Sequence, residues 1–214
     1  MQHNFIVIEG NIGVGKTTLA SMLAKDLDAR LVLEKFEENP FLPKFYKDPK
    51  ANAFPLELFF MAERYHQLKK QKEQDLFMPV TIADYFFMKS KLFAHNNLQK
   101  DEKQLFNSLF EIMFSSLPNP DLLVYLYAGV DRLQENIRLR GRSFELDITN
   151  EYLENIQERY LDYLRKQKHF PVLLLDVSTV DFRTDKNVYR SILRLLDGDY
   201  RKTTHQFNLA EPIF

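Results

Sequence analysis

The sequence predicts an α/β fold, a parallel sheet of about five strands flanked by helices, on three observations. Short apolar runs recur along the chain, each ending in a carboxylate or a turn. Longer segments with apolar residues at helical spacing separate them, the alternation that builds parallel β/α structures. A glycine-rich loop joins the first run to the first such segment.

In chain order, the first strand covers residues 5–8 and is closed by Glu9 and the loop, after which residues 17–27 form a helix. A short strand at 31–33 ends in Glu34, and a long helix is expected over 56–73. The strand at 80–83 ends in Asp84, with helices over 86–98 and 103–117 beyond it. Pro118-Asn119-Pro120 reads as a turn feeding a buried strand at 122–127, and a helix follows at 130–139. Thr149 and Asn150 are suitable caps for a helix over 150–167. The strand at 172–175 ends in Asp176, and a helix at 186–196 completes one domain over residues 1–197. Residues 198–214 have weak periodicity and read as a C-terminal tail of unknown role.

Composition narrows the function. A formal charge of −1 gives none of the basic field that binding a nucleic-acid polymer needs. The absence of cysteine excludes disulfides, thiolate catalysis and thiolate zinc sites, and five scattered His suggest no metal cage. No apolar stretch approaches the roughly 20 residues that span a bilayer, and the N-terminus lacks the pattern of a signal peptide, so the expectation is a cytoplasmic protein with no membrane partner.

In open parallel sheets ligands bind beyond the carboxyl ends of the strands, which here carry Glu9, Glu34, Asp84 and Asp176. Beside them Gly10-Asn11-Ile12-Gly13-Val14-Gly15-Lys16-Thr17 satisfies G-x-x-x-x-G-K-[ST]. Its glycines let backbone N–H groups close around phosphates, Lys16 reaches the terminal phosphates, and Thr17 supplies a hydroxyl to Mg²⁺. Gly10 to Thr17 and the neighbouring Thr18 are therefore assigned to ATP, and Thr17 to Mg²⁺.

Around this loop the chain resembles the deoxynucleoside kinases, P-loop enzymes that phosphorylate the 5′-hydroxyl of deoxynucleosides, and four further segments carry the resemblance. Glu34-Lys-Phe-Glu-Glu-Asn-Pro-Phe-Leu42 is similar to the bacterial branch, in which the Glu after the second strand is the base facing the substrate hydroxyl. The resemblance makes Glu34 that base, the other reading being a solvated strand-end charge, with Glu37 and Glu38 as close alternatives that read rather as solvated. A carboxylate there suits the chemistry, because the acceptor hydroxyl must be oriented and lose its proton late in transfer.

The second segment runs from Phe45-Tyr46 through Glu57 to Arg64. By resemblance Tyr46 binds the sugar 3′-hydroxyl and Glu57 reads the base, where better-known members carry Gln. A carboxylate accepts only, which favours adenine, guanine or cytosine over thymine, with deoxyadenosine the leading substrate. Packing for Tyr46, and capping or pairing within the helix for Glu57, are the alternatives. Arg64 reads as an ion-pair partner or a substrate contact, and Phe59 and Phe60 as a base-stacking wall or plain core.

The third segment departs from the family, showing Ala83-Asp84-Tyr85 where many members have an acid, an Arg and a Ser. By resemblance Asp84 does the metal or water-ordering work of the family's acid and joins Thr17 as a Mg²⁺ ligand, and Lys89 either replaces the missing Arg near the phosphates and substrate or is an exposed helix lysine. The fourth segment, Asn136-Ile-Arg138-Leu-Arg140-Gly-Arg142-Ser-Phe-Glu145, is similar to the family's arginine-rich lid. Arg140 and Arg142 would neutralise charge on the transferring phosphoryl group, Arg138 would compensate for Asn136 at a family arginine, and Glu145 would contact the 3′-hydroxyl. Asp176 and Asp181-Phe182 resemble the region that holds the adenine of ATP.

The resemblance implies an ATP-dependent deoxynucleoside 5′-kinase of nucleotide salvage, with a P-loop kinase fold, a small-molecule deoxynucleoside partner and a homodimer packed through the helices after Leu56 and Phe86. A thymidylate-kinase-like monophosphate kinase and a non-catalytic ATP-binding scaffold are the alternatives.

Overall fold

The computed structural model describes residues 3–35, 39–69 and 80–211. Glu37 and Glu38, and residues 70–73 of the expected long helix, lie outside the described residues. Among the described residues six strands form one fully parallel sheet: β1 (Phe5–Gly10), β2 (Arg30–Val32), β3 (Thr81–Ala83), β4 (Leu122–Tyr127), β5 (Val172–Asp176) and β6 (Thr204–Asn208), in the order β2-β3-β1-β4-β5-β6. β1 stands between β3 and β4, so the strand order reverses at its carboxyl end and opens the crevice where ligands bind in such sheets.

The helices are α1 (Lys16–Asp26), α2 (Leu42–Lys47), α3 (Pro49–Lys69), α4 (Met88–Asn97), α5 (Lys100–Phe114), α6 (Val130–Arg140), α7 (Asn150–Lys166) and α8 (Lys186–Leu196), with a 3₁₀ turn at Ser143–Glu145. Thr149 caps α7 by accepting from the backbone N–H of Tyr152 at 3.2 Å. α2 was not expected. α3 begins before Pro55 rather than after it, because Ala53 and Leu56 on either side bury against the core and packing overrides the breaker.

The sheet has six strands rather than about five, and the sixth comes from residues 198–214. β6 is an edge strand rich in Thr, His, Gln and Asn and only partly buried, so it lacked the apolar run that marked the others. One core joins β1, β4 and β5 to α1, α6 and α8 through residues such as Leu19, Ile137 and Ile192. A second, aromatic core packs α3, α4 and α5 around Met61, Phe87, Phe106 and Phe110. A third seats Ile156 and Tyr160 of α7 on Val7 and Tyr125.

Candidate active site

The phosphate loop leaves β1 at Gly10 and enters α1 at Lys16. Gly13 and Gly15 have φ of 84° and 101°, left-handed values that favour glycine. A Cβ on Gly13 would stand 2.8 Å from the carbonyl oxygen of Leu133, which explains the residue twice over. The amides of such a loop and the first turn of α1 form a concavity for an anion. Asn11 and Val14 turn inward instead: Asn11 is 1% exposed and donates to the carbonyl of Leu153 at 2.8 Å, and Val14 joins the core. Lys16 donates to the carbonyl of Asn11 at 2.9 Å. Burial and then the Lys89 charge push its ammonium down to about 8, against the opposing pull of Glu9, Glu34 and Asp84.

Two of the four strand-end acids converge in front of this loop. Asp84 accepts the hydroxyl of Thr17 at 2.6 Å with one oxygen and the backbone N–H of Glu34 at 2.7 Å with the other. Glu34 is gripped on both oxygens, by Arg64 at 2.5 and 2.8 Å and by Lys89 at 2.5 Å. Burial alone would raise the Glu34 carboxyl, but Arg64 and Lys89 overcome it and hold the group well below the usual carboxylate range. Glu9 turns into the protein, accepting from Gly10 N–H, Phe86 N–H and the Tyr160 hydroxyl. Asp176 turns to Ser178 at 2.6 Å.

Two clefts meet at the loop. The first spans about 820 Å³ including its open mouth and carries Ile12, Glu34, Tyr46, Glu57, Asp84, Lys89 and Glu145 on its walls, together with Phe60, Arg64, Asn97, Phe144 and Tyr152. The second, about 1230 Å³, is lined by Val14, Gly15, Thr18, Asn136, Asp181, Phe182 and Arg183. Gly13, Lys16, Thr17, Arg140 and Arg142 belong to both. A ligand in each would therefore present reactive groups to one another at the loop.

The end of α6 and the turn after it border this junction through Arg140 and Arg142. Arg140 and Arg142 both donate to Glu145, the latter at 3.4 Å. The neighbouring Phe144 ring stacks on Tyr46, with centroids 6.0 Å apart. Arg138 is exposed and lies on the outer side of α6 beside Ser178 and Thr179, outside both clefts. Asn136 instead reaches the loop, donating to the carbonyl of Gly13 at 2.9 Å.

The deoxynucleoside kinase family model matches residues 6–198. The chain belongs to the deoxynucleoside kinases. It is an ATP-dependent phosphotransferase of that family. A deoxyguanosine kinase of Bacillus subtilis is 35% identical over 194 residues, spanning 88% of this chain and 93% of that protein. A deoxyadenosine/deoxycytidine kinase of the same organism is 32% identical, over 90% and 91% of the two chains. The structure of deoxyadenosine kinase from M. mycoides with bound dATP has a TM-score of 0.76 at 26% identity, covering 90% of this chain and 98% of that one.

Three side chains in this kinase's first cleft escaped sequence reasoning or were left undecided by it. Arg64 is 3% exposed and pairs with both Glu34 and Ser90. The signal was its position two helical turns after Glu57, which puts both on one face of α3. Lys89 is 7% exposed and held against Glu34, so the exposed-lysine alternative is excluded. Asn97 donates to Glu57 at 2.7 Å, and no sequence motif marked it. Of the two phenylalanines suggested as a wall, Phe60 lines the cleft under the Arg64 guanidinium, whereas Phe59 does not line it and pairs with Phe41.

Proposed function

We propose that this kinase transfers the γ-phosphoryl group of ATP to the 5′-hydroxyl of deoxyadenosine, with deoxyguanosine and deoxycytidine as poorer substrates, in cytoplasmic nucleotide salvage. The observation that carries the reading is Glu34, fixed by Arg64 and Lys89 on the wall of the first cleft, which meets the second at Lys16. Glu34 accepts the hydrogen bond of the 5′-hydroxyl and aims its oxygen at the phosphorus. The new O–P bond forms as the bond from the γ-phosphorus to the β,γ-bridging oxygen breaks, and the hydroxyl proton passes to Glu34. Because Glu34 is held strongly ionised it is a weak base, which suits a loose transition state where the proton leaves late. Lys16, Arg140 and Arg142 neutralise the charge that spreads over the phosphoryl oxygens. Tyr46 and Glu145 hold the sugar, and Glu57 accepts from the base.

Thr17 and Asp84 fit a divalent cation: their hydroxyl and carboxylate, 2.6 Å apart at the phosphate loop, are hard oxygens of the kind that would hold Mg²⁺. Bound there, Mg²⁺ supplies electrostatic stabilisation of the phosphates. Among the described residues no group of three or more His, Asp or Glu forms a separate cage.

We also propose a homodimer. Among the described residues neither α3 nor α4 presents an exposed large hydrophobic residue, while α5 presents Leu105 and Ile112, which supports α5 as the packing face.

The test is product formation from ATP and Mg²⁺ with the four deoxynucleosides and their monophosphates, using wild type and Glu34→Gln. Deoxyadenosine monophosphate, lost in the variant, is the expected product. Diphosphates alone would move the protein to the monophosphate kinases, and ATP binding without product would make it a scaffold.

A further inference from the structure

Glu57 is 2% exposed on the wall of the nucleoside cleft, and its two oxygens have different surroundings. Oε1 accepts from the Asn97 side-chain amide at 2.7 Å, whereas Oε2 is buried with no hydrogen-bond partner among the described residues. A buried acceptor left without a donor is costly, so a ligand donor reaching Oε2 would be a net gain. Asn97, the last residue of α4, lines the same cleft. Its amide nitrogen faces Glu57, and its amide oxygen is taken by the Asn96 side chain. The second N–H of that amide has only a 3.3 Å contact with the Tyr152 hydroxyl. A bare acceptor and a weakly engaged donor therefore stand side by side.

We propose that Asn97 is a specificity-determining residue, forming with Glu57 a donor–acceptor pair that reads the amino group and adjacent ring nitrogen of adenine. The inference rests on the reading of Glu57 as the base contact. The adenine 6-amino group donates to Oε2, and the neighbouring ring nitrogen accepts from Nδ2 of Asn97. Guanine places two donors, N1–H and the 2-amino group, next to each other, and a carboxylate with both oxygens free would take them together. Asn97 occupies one of those oxygens, so it adds a contact for adenine and removes one for guanine.

The chain of hydrogen bonds behind Asn97 supports a fixed orientation. Asn97 Oδ1 accepts from the Asn96 amide at 3.2 Å, and Asn96 Oδ1 accepts from Arg159 at 3.4 Å. The donor thus points at Glu57 and the cleft, and a flip of the amide would set two acceptors against each other.

The experiment is kcat/KM for deoxyadenosine and deoxyguanosine in wild type, Asn97→Ala, the nearly isosteric Asn97→Asp and Glu57→Gln, each checked by circular dichroism. Removing the donor is expected to raise the deoxyguanosine-to-deoxyadenosine ratio at least about tenfold in Asn97→Ala, with the deoxyadenosine loss carried by KM. Asn97→Asp is expected to lose deoxyadenosine turnover as well, and decides the matter if the alanine variant does not fold. A ratio unchanged in the Asn97 variants but altered in Glu57→Gln overturns this inference alone. A ratio unchanged in all three overturns it together with the reading of Glu57 beneath it.

Discussion

Lys89 donates to Glu34 at 2.5 Å across 55 residues of sequence, joining the helix after β3 to the loop after β2. Arg64 holds the other oxygen of the same carboxylate. The acid at the centre of the site is therefore fixed in position and in charge before any substrate arrives, which is electrostatic preorganisation in the literal sense.

Glu34→Gln should lower kcat by roughly 10²–10⁴-fold, the range for loss of a positioned acid–base group. It should also destabilise the fold, because Arg64 and Lys89 are buried and lose their counter-charge; breaking such a pair costs about 3–5 kcal/mol. Thermal unfolding and steady-state kinetics on one preparation check both. Turnover within a factor of two of wild type would remove Glu34 from the mechanism.

Lys16 makes the opposite case. Its ammonium is lowered to about 8, with burial the first cause, against an unfolded value of 10.5. Between those values the unfolded chain binds more protons than the native one, so stability rises with pH there, and below about 8 the charged group weighs against the fold. Lys16→Met should therefore raise the melting temperature at neutral pH while abolishing phosphoryl transfer, as scanning calorimetry and product assay would report. A lower melting temperature would mean that the ammonium is a net stabiliser of the loop.

Much of this site was legible in the sequence because it is local. The phosphate loop is one contiguous motif, and its glycines are required by backbone dihedrals that no other residue adopts easily. Glu34 and Asp84 were found because strands this short end where their apolar runs end. Asn97 was not legible, since its partner Glu57 lies 40 residues away and an Asn at a helix end carries no motif. Arg138 and Asn136 lie two residues apart, yet the turn of α6 sends Asn136 to the loop and Arg138 to the outer side, a distinction that spacing alone does not draw. β6 was missed because Phe207 is the one apolar residue of this edge strand, which leaves no run for a pattern to show.

The Glu57 carboxyl is pushed up to about 7, by burial first, with Arg64, the Asn97 hydrogen bond and Lys89 opposing and Glu34 assisting. Its ordinary value is 4.5, so the native state binds the extra proton between those two values. Stability falls as pH rises through that window, by up to about 3 kcal/mol, and stays lowered above it. Glu57→Gln removes the titration. Its stability relative to wild type should grow from about pH 5 to about pH 8 in urea unfolding at constant ionic strength, and a difference independent of pH would show that Glu57 is ionised throughout.

The α5 face offers the last prediction. Leu105 and Ile112 are 54% and 72% exposed and seven residues apart, so they share one side of the helix. Leu109 and Ser108 lie between them on the same side, partly buried and exposed respectively. Two such residues cost free energy in water and gain it only against another apolar surface, and a two-fold axis would bring each helix onto its copy. Wild type should run as a dimer at micromolar concentration in size-exclusion chromatography with light scattering. Ile112→Asp buries nothing within one chain, so it should leave the far-ultraviolet circular dichroism unchanged while halving the mass. A wild-type monomer would refute the dimer, and a dimer unaffected by Ile112→Asp would move the interface off this face of α5.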